Sequence, residues 1–271
     1  MVKMTTKDVS GLFHNRYYAA DETEQVFGFR PKDITLPEYW KPEDYELHAE
    51  AGHLLICYPN RLPNLEPVTF EEMAKRALAG KSVSEGLLWQ SQFSRDGNLV
   101  SDWILNDPLQ RNGMPRSGWQ FVSLDALSET REKDFIEQTN TLIRNMEQCL
   151  HHAIPPILWD AKSKWEGYER DFARSLIKRS EQKAASMYLS SLDVTRFLRE
   201  PVQNAFFRYL LVFGMTGEKL FGNAYSWSSS LSSDGRLVYF GRADGDGAIV
   251  SGLTPDDSFS PLRAVASRSG F

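Results

Sequence analysis

The alternation of apolar and polar positions divides the chain into a mixed first part, a helical middle and a tail of short strands. His53 to Tyr58 is an apolar, partly β-branched run between Gly52 and Pro59, and it predicts a buried strand. The loop after it carries Pro59, Pro63 and Pro67. Thr69 and Glu72 have capping-box spacing. Phe70, Met73, Ala74, Ala77 and Leu78 then mark an amphipathic helix, with Gly80 placed to end it. Leu87–Phe93 and Trp119–Leu124 read as strands, with turn chemistry between them at Asp96-Gly97 and Asn112-Gly113. In the middle, Ser128 is placed to cap a helix whose stripe is Phe135, Thr139, Leu142, Ile143, Met146 and Leu150, and Pro155-Pro156 interrupts it. Trp165, Tyr168, Phe172 and Leu176 predict a second helix from about residue 160 to 183. Val202, Phe206, Tyr209, Leu210 and Phe213 predict a third, starting at Pro201 and ending at Gly214 or Gly217.

The first fifty residues sustain no period and read as an arm with short strands, packing its aromatics on the body. After Gly222 the pattern shortens. Pieces around Tyr225, Leu237, Ile249 and Leu262 are β-prone, and turn chemistry separates them. From Asn223 to Phe271, 49 residues hold eleven Ser, six Gly and no Lys.

Composition narrows the classes. With 271 residues, 41% hydrophobic, seven Trp, sixteen Phe and ten Tyr, the chain has material for one large core or two small ones and is not a disordered sequence. No run approaches the ~18 apolar residues of a membrane span. The start, MVKMTTKDVSGLF, carries no apolar leader segment, so a cytoplasmic location is expected, with phage association or non-classical export as the alternative. A net charge of −5 disfavours a general nucleic-acid binder. Lys162, Lys164, Arg170, Arg174, Lys178, Arg179 and Lys183 still form a local basic face, read first as solvated and second as a contact for an acidic partner or phosphate backbone. Cys57 and Cys149 fit a reduced compartment.

Catalytic signals are sparse. GxxxxGK[ST], GxGxxG and GxSxG are all absent. His151-His152 are helix neighbours that do not face each other and read as a polar helix end. His14, His53, Cys57 and Cys149 carry no nucleophile signature. Asp244-Gly245-Asp246-Gly247 suggests calcium, but Pro255 stands where an EF-hand has its twelfth-position Glu, so a tight turn accounts for it. Ser94–Gly97 and Ser233–Gly235 read as hairpin turns.

The order of pieces at the end of the chain carries a resemblance. Arg199-Glu-Pro-Val202 precedes the third helix, and Thr216-Gly-Glu-Lys-Leu-Phe221 follows it. Then come Tyr225-Ser-Trp-Ser-Ser229, Ser232-Ser-Asp-Gly235, Leu237-Val-Tyr-Phe-Gly241 and Leu262-Arg-Ala-Val-Ala-Ser-Arg268. This resembles the C-terminal variable region of target proteins of diversity-generating retroelements, found in bacteria, archaea and phages. The match is best over about residues 199–271 and weaker over 51–150. The resemblance implies an α+β, C-type-lectin-like fold of the formylglycine-generating-enzyme subtype, with small twisted antiparallel sheets flanked by helices. It implies an arm at 1–50 and a lectin-like domain at 51–271, holding a helical insertion at about 126–198 and a variable ligand-binding region at about 223–271.

By the same resemblance, the framework is Trp227, Ser229, Ser232, Gly235, Leu237, Val238, Gly241, Gly247, Val250, Ser267 and Arg268. The variable surface would be Ser226, Ser228, Leu231, Tyr239, Arg242, Ala243, Ser251, Leu253, Asp257, Phe259, Pro261, Arg263 and Val265, with Tyr239, Arg242 and Phe259 as anchors. The related enzymes use reactive Cys in their C-terminal part, and this chain has none after Cys149. The expectation is therefore a non-enzymatic binder of a protein ligand, without metal or cofactor, and with a homo-oligomer contact through the 128–183 helices. The alternatives are an enzyme using His53, Cys57 or the Asp244/Asp246 pair, and a structural or phage assembly protein.

Overall fold

The computed structural model describes residues 4–32, 35–38, 40–59, 61–62, 66, 68–79, 87–88, 90–100, 104–111, 113–150, 154–242 and 247–269, without the side chains of 150 and 269. The expectations for Gly80, Asn112, His151, His152, Ala243, Asp244, Gly245 and Asp246 lie outside them.

The first fifty residues, expected as an arm with short strands, are mainly helical. Helices α1 (Thr6–Phe13), α2 (Ala20–Phe27) and α3 (Pro42–Glu50) enclose one two-residue strand, β1 (Tyr17–Tyr18). Local caps hold these short helices. Thr5 Oγ1 accepts from the Asp8 amide at 3.3 Å, and the Asp8 carboxylate accepts the Thr5 amide at 2.9 Å. Gly28 closes α2 at φ 69°. Two-turn helices leave too few apolar positions for a readable period. Their aromatics go inward, where Val9, Phe13, Trp40 and Tyr45 pack with Leu55, Cys57, Trp119 and Phe121.

Strands β2 (Leu54–Tyr58) and β3 (Gly118–Val122) pair antiparallel, Leu55 opposite Phe121. β1 joins β2 in parallel, and the last strand, β8 (Ser267–Ser269), joins β3 antiparallel, giving the order β1-β2-β3-β8. All five residues of β2 are buried because both faces are covered. Leu54, Ile56 and Tyr58 enter the main core, while Leu55 and Cys57 face α1 and α3.

Helix α4 (Phe70–Leu78) starts as its sequence predicts, with Thr69 Oγ1 accepting the Glu72 amide at 3.3 Å. The Glu72 carboxylate does not complete the box; it pairs with Arg76 one turn on. The strand expected at Leu87–Phe93 does not form among the described residues. Among its described residues only isolated bridges form, Leu88 to Ala248 and Phe93 to Leu99. The buried Gln92 side chain takes the place of a strand there, donating to Val250 O at 2.5 Å and accepting the Val250 amide at 2.9 Å. A primary amide thus satisfies the Val250 backbone at the edge of the sheet.

A short helix, α5 (Pro108–Arg111), precedes β3. Helix α6 (Phe135–Leu150) is capped by Asp134, whose carboxylate accepts the Glu137 amide at 2.7 Å; Ser128 only begins a single 3₁₀ turn. α7 (Pro156–Lys164) and α8 (Arg170–Lys178) continue through a π turn at Trp165–Glu169. The expected 160–183 helix breaks because Ser180 takes φ 60°, and α9 (Gln182–Ser191) and α10 (Asp193–Leu198) follow. Phe135, Leu142, Ile143, Leu158, Trp165, Leu189 and Phe197 form this unit's core.

Helix α11 (Val202–Thr216), expected to be amphipathic, is buried on every side from Val202 to Val212. Phe207 stacks on Phe27 at 4.7 Å, and Phe206 meets Phe70 at 5.0 Å and Phe93 at 5.3 Å. Gly217, at φ 78°, ends the helix. The tail forms β4 (Tyr225–Leu231), β5 (Leu237–Gly241), β6 (Ile249–Leu253) and β7 (Leu262–Arg263), ordered β6-β5-β4-β7. Alternation splits this sheet between two cores: Val238, Phe240 and Val250 join α11, while Trp227, Leu237 and Leu262 join the 135–198 helices. The architecture is α+β, with two small sheets among helices.

Candidate binding surface

The register of the second sheet decides which tail residues share a face. Trp227 lies opposite Tyr239, and Tyr239 opposite Ser251; one step along, Tyr225 lies opposite Gly241. Tyr225, Trp227, Tyr239 and Ser251 therefore point the same way. Trp227 is 1% exposed beneath Phe135, at 5.7 Å. Tyr225 and Tyr239 remain half-buried, and Phe259 reaches them from the loop before β7. The three rings meet edge to face, with centroids 5.0 Å (Tyr225–Tyr239), 5.8 Å (Tyr225–Phe259) and 6.5 Å (Tyr239–Phe259) apart. Burial pushes the Tyr239 phenol above its ordinary pKa, against a hydrogen bond from Ser251, so at neutral pH it is protonated. Exposed Arg242, at φ 54°, sits 3.5 Å from the Tyr225 hydroxyl.

Of the residues expected on a variable surface, Tyr239, Arg242, Ser251 and Phe259 gather here. Leu231 and Leu253 are half-buried at the other end of the sheet, against the 135–198 helices. Pro261 and Arg263 are half-buried, and the Pro261 carbonyl accepts the Tyr225 amide at 2.7 Å. Asp257 closes a turn, accepting from the Thr254 amide at 2.8 Å and hydroxyl at 2.9 Å.

Ser226, Ser228 and Val265 do not belong to any displayed surface: they are 6%, 2% and 2% exposed. Ser226 Oγ accepts the Val265 amide at 3.1 Å. Ser228 Oγ donates to Val238 O at 2.7 Å and accepts the Ser230 amide at 3.1 Å beside the irregularity in β4. Val265 fills the main core. These hydroxyls complete backbone hydrogen bonding that the sheet leaves open. Ser228→Ala is expected to cost about 1–3 kcal/mol, by stranding a buried carbonyl, against under about 0.5 kcal/mol for Arg242→Ala. Urea unfolding of the two variants checks the contrast.

Tyr225 was missed as a surface residue. Its signal was the i, i+2 spacing to Trp227, which puts both on one face.

Other candidate chemistry disperses. Among the described residues no three His, Cys, Asp or Glu gather as a metal-ligand set. Cys57 is buried in the N-terminal cluster, and burial pushes the Cys149 thiol up, away from thiolate. His53 is bonded to His48. The basic stretch is laced with carboxylates. Lys162 meets Glu147 at 3.1 Å and Glu166 at 2.9 Å, Lys164 meets Asp160 at 2.6 Å, and Arg179 meets Glu181 at 3.0 Å. Among the described residues no helix is long and apolar enough to cross a membrane. No protein-family model, no curated protein and no solved structure matches this chain.

Proposed function

We propose that the chain is a non-enzymatic ligand-binding protein of C-type-lectin-like fold, diversified near its C-terminus by a retroelement, and that its partner is a protein. The observation that carries this reading is the Tyr225–Tyr239–Phe259 cluster, half-buried and drawn from three separate segments of the tail. Rigid aromatics on an ordered sheet, with Arg242 beside them, have the composition of a binding hot spot. Positions that touch solvent can change there without emptying a core. Two small sheets flanked by helices, one of them holding both the first and the last strand, and the order of tail motifs support the fold implied by the resemblance. The 128–183 helices would carry the homo-oligomer contact, because Ile157, Trp159, Tyr168 and Phe172 are all about half-exposed or more.

Two experiments test the reading. The coding region for about residues 223–271 is expected to have a near-repeat in flanking DNA that differs at adenines; absence of such a repeat rejects diversification. A displayed library varied at Tyr239, Arg242, Ser251 and Phe259 is expected to yield binders to a panel of unrelated purified proteins. Reverting Tyr239 or Phe259 of a selected binder to Ala is then expected to weaken binding by about 2 kcal/mol, some thirtyfold. Binding that survives both reversions would place the site elsewhere.

A further inference from the structure

Away from the tail surface, His48 on α3 and His53 before β2 bring their Nδ1 atoms within 2.6 Å. That distance accommodates one proton, not two. Arg268 on β8 settles which nitrogen carries it. Its Nη1 lies 3.2 Å from His48 Nε2 and can only donate, so His48 Nε2 accepts. His48 therefore donates through Nδ1, and His53 Nδ1 is the bare acceptor. The same Arg268 Nη1 lies 3.1 Å from Asp44 Oδ1, while Asp44 Oδ2 accepts the Lys41 amide at 2.9 Å and caps α3. His48, Asp44 and Arg268 are all buried, and the His48 ring lies on Phe121 with centroids 3.9 Å apart.

A second proton has no place in this arrangement. On His53 Nδ1 it would point at the His48 N–H, and on His48 Nε2 it would point at Arg268. The surroundings offer little compensation. α3 contributes one carboxylate, Asp44, already on Arg268; β8 contributes Arg268, and Arg16 faces His53. α6 contributes Asn145, Met146 and Cys149, and α10 contributes Leu198.

We propose that the His48–His53 pair is an acid-sensitive latch. Neutral, it holds β8 to α3 through Arg268; protonated, it detaches Arg268 and loosens β8 before the rest of the fold. The electrostatics of both rings point the same way. Burial, then Arg16, lowers His53 to about 4, and burial, then His53 and Arg268, lowers His48 well below its ordinary value. An opened state takes up protons as pH falls below about 6.5, whereas the closed state resists until about 4. The stabilisation is complete above that upper value and is lost as pH falls through this window.

The test is hydrogen exchange of the β8 amides in the intact chain, expressed as opening constants at pH 6.5 and 4.5. One imidazole gives at most about tenfold per pH unit and about fortyfold over this interval, so a rise of about fortyfold or more is expected in β8, with a smaller rise in β5. His53→Gln keeps an acceptor for His48 and cannot titrate, so it is expected to reduce the slope. If that variant fails to fold, ¹⁵N spectra of the wild-type imidazoles decide: both rings are expected to stay neutral down to about pH 5. A flat opening constant, an equal rise in β5, an unchanged slope in His53→Gln, or rings titrating near 6.5 would each overturn the latch.

Discussion

Glu200→Ala is expected to destabilise the fold by about 3–5 kcal/mol, because it strands a buried cation. Arg208 is fully buried in α11, and Glu200, two residues before the helix, is its paired carboxylate. The second Glu200 oxygen accepts the Tyr58 hydroxyl at 3.2 Å, and the guanidinium lies 4.9 Å from the Phe221 ring centre. Burial, then the charge of Glu200, raises the Tyr58 phenol well above its ordinary pKa and keeps it a donor. Removing the carboxylate leaves the fully buried Arg208 with no counter-charge among the described residues. The double change Glu200→Leu with Arg208→Met removes both charges and is expected to cost distinctly less. Urea unfolding of the single and double variants checks the ordering. A double variant as unstable as Glu200→Ala would show that shape, not charge, holds this junction.

Trp227→Ala is expected to cost about 3–5 kcal/mol as well, by opening a cavity where the second sheet meets the 135–198 helices. It is expected also to weaken any ligand of the Tyr239 surface, since Tyr239 leans on the Trp227 ring at 6.0 Å. Trp227→Phe should retain most of both properties, because among the described residues the indole N–H has no hydrogen-bond partner. Thermal unfolding followed beside binding of a selected ligand separates the two losses: a variant that loses stability alone would mean that Trp227 does not support the surface.

Some of this was legible in residue order. Thr69 caps α4, the Phe135-to-Met146 stripe is the buried face of α6, and the tail pairs as short strands where the turns suggested. Each of these rests on contacts within a few residues, or on a periodicity that burial of one face imposes. The N-terminal helices escaped notice because two turns hold too little period. The 160–183 helix was read as continuous because one residue at positive φ leaves no mark in apolar spacing. The candidate site was legible by half. Tyr239, Arg242, Ser251 and Phe259 were expected together, while Ser226 and Ser228 look like display residues by type and are internal ties by position.

What the sequence determined alone was therefore local: the Thr69 cap of α4, the buried stripe of α6, and a tail built as a framework of strands and polar turns. Only the tertiary structure decided which face of each strand sees water. The 135–198 helices cover Trp227 and leave Tyr225, Tyr239 and Phe259 half open. Pairing register turns one residue inward and its neighbour out, and register is set by partners far away in the chain.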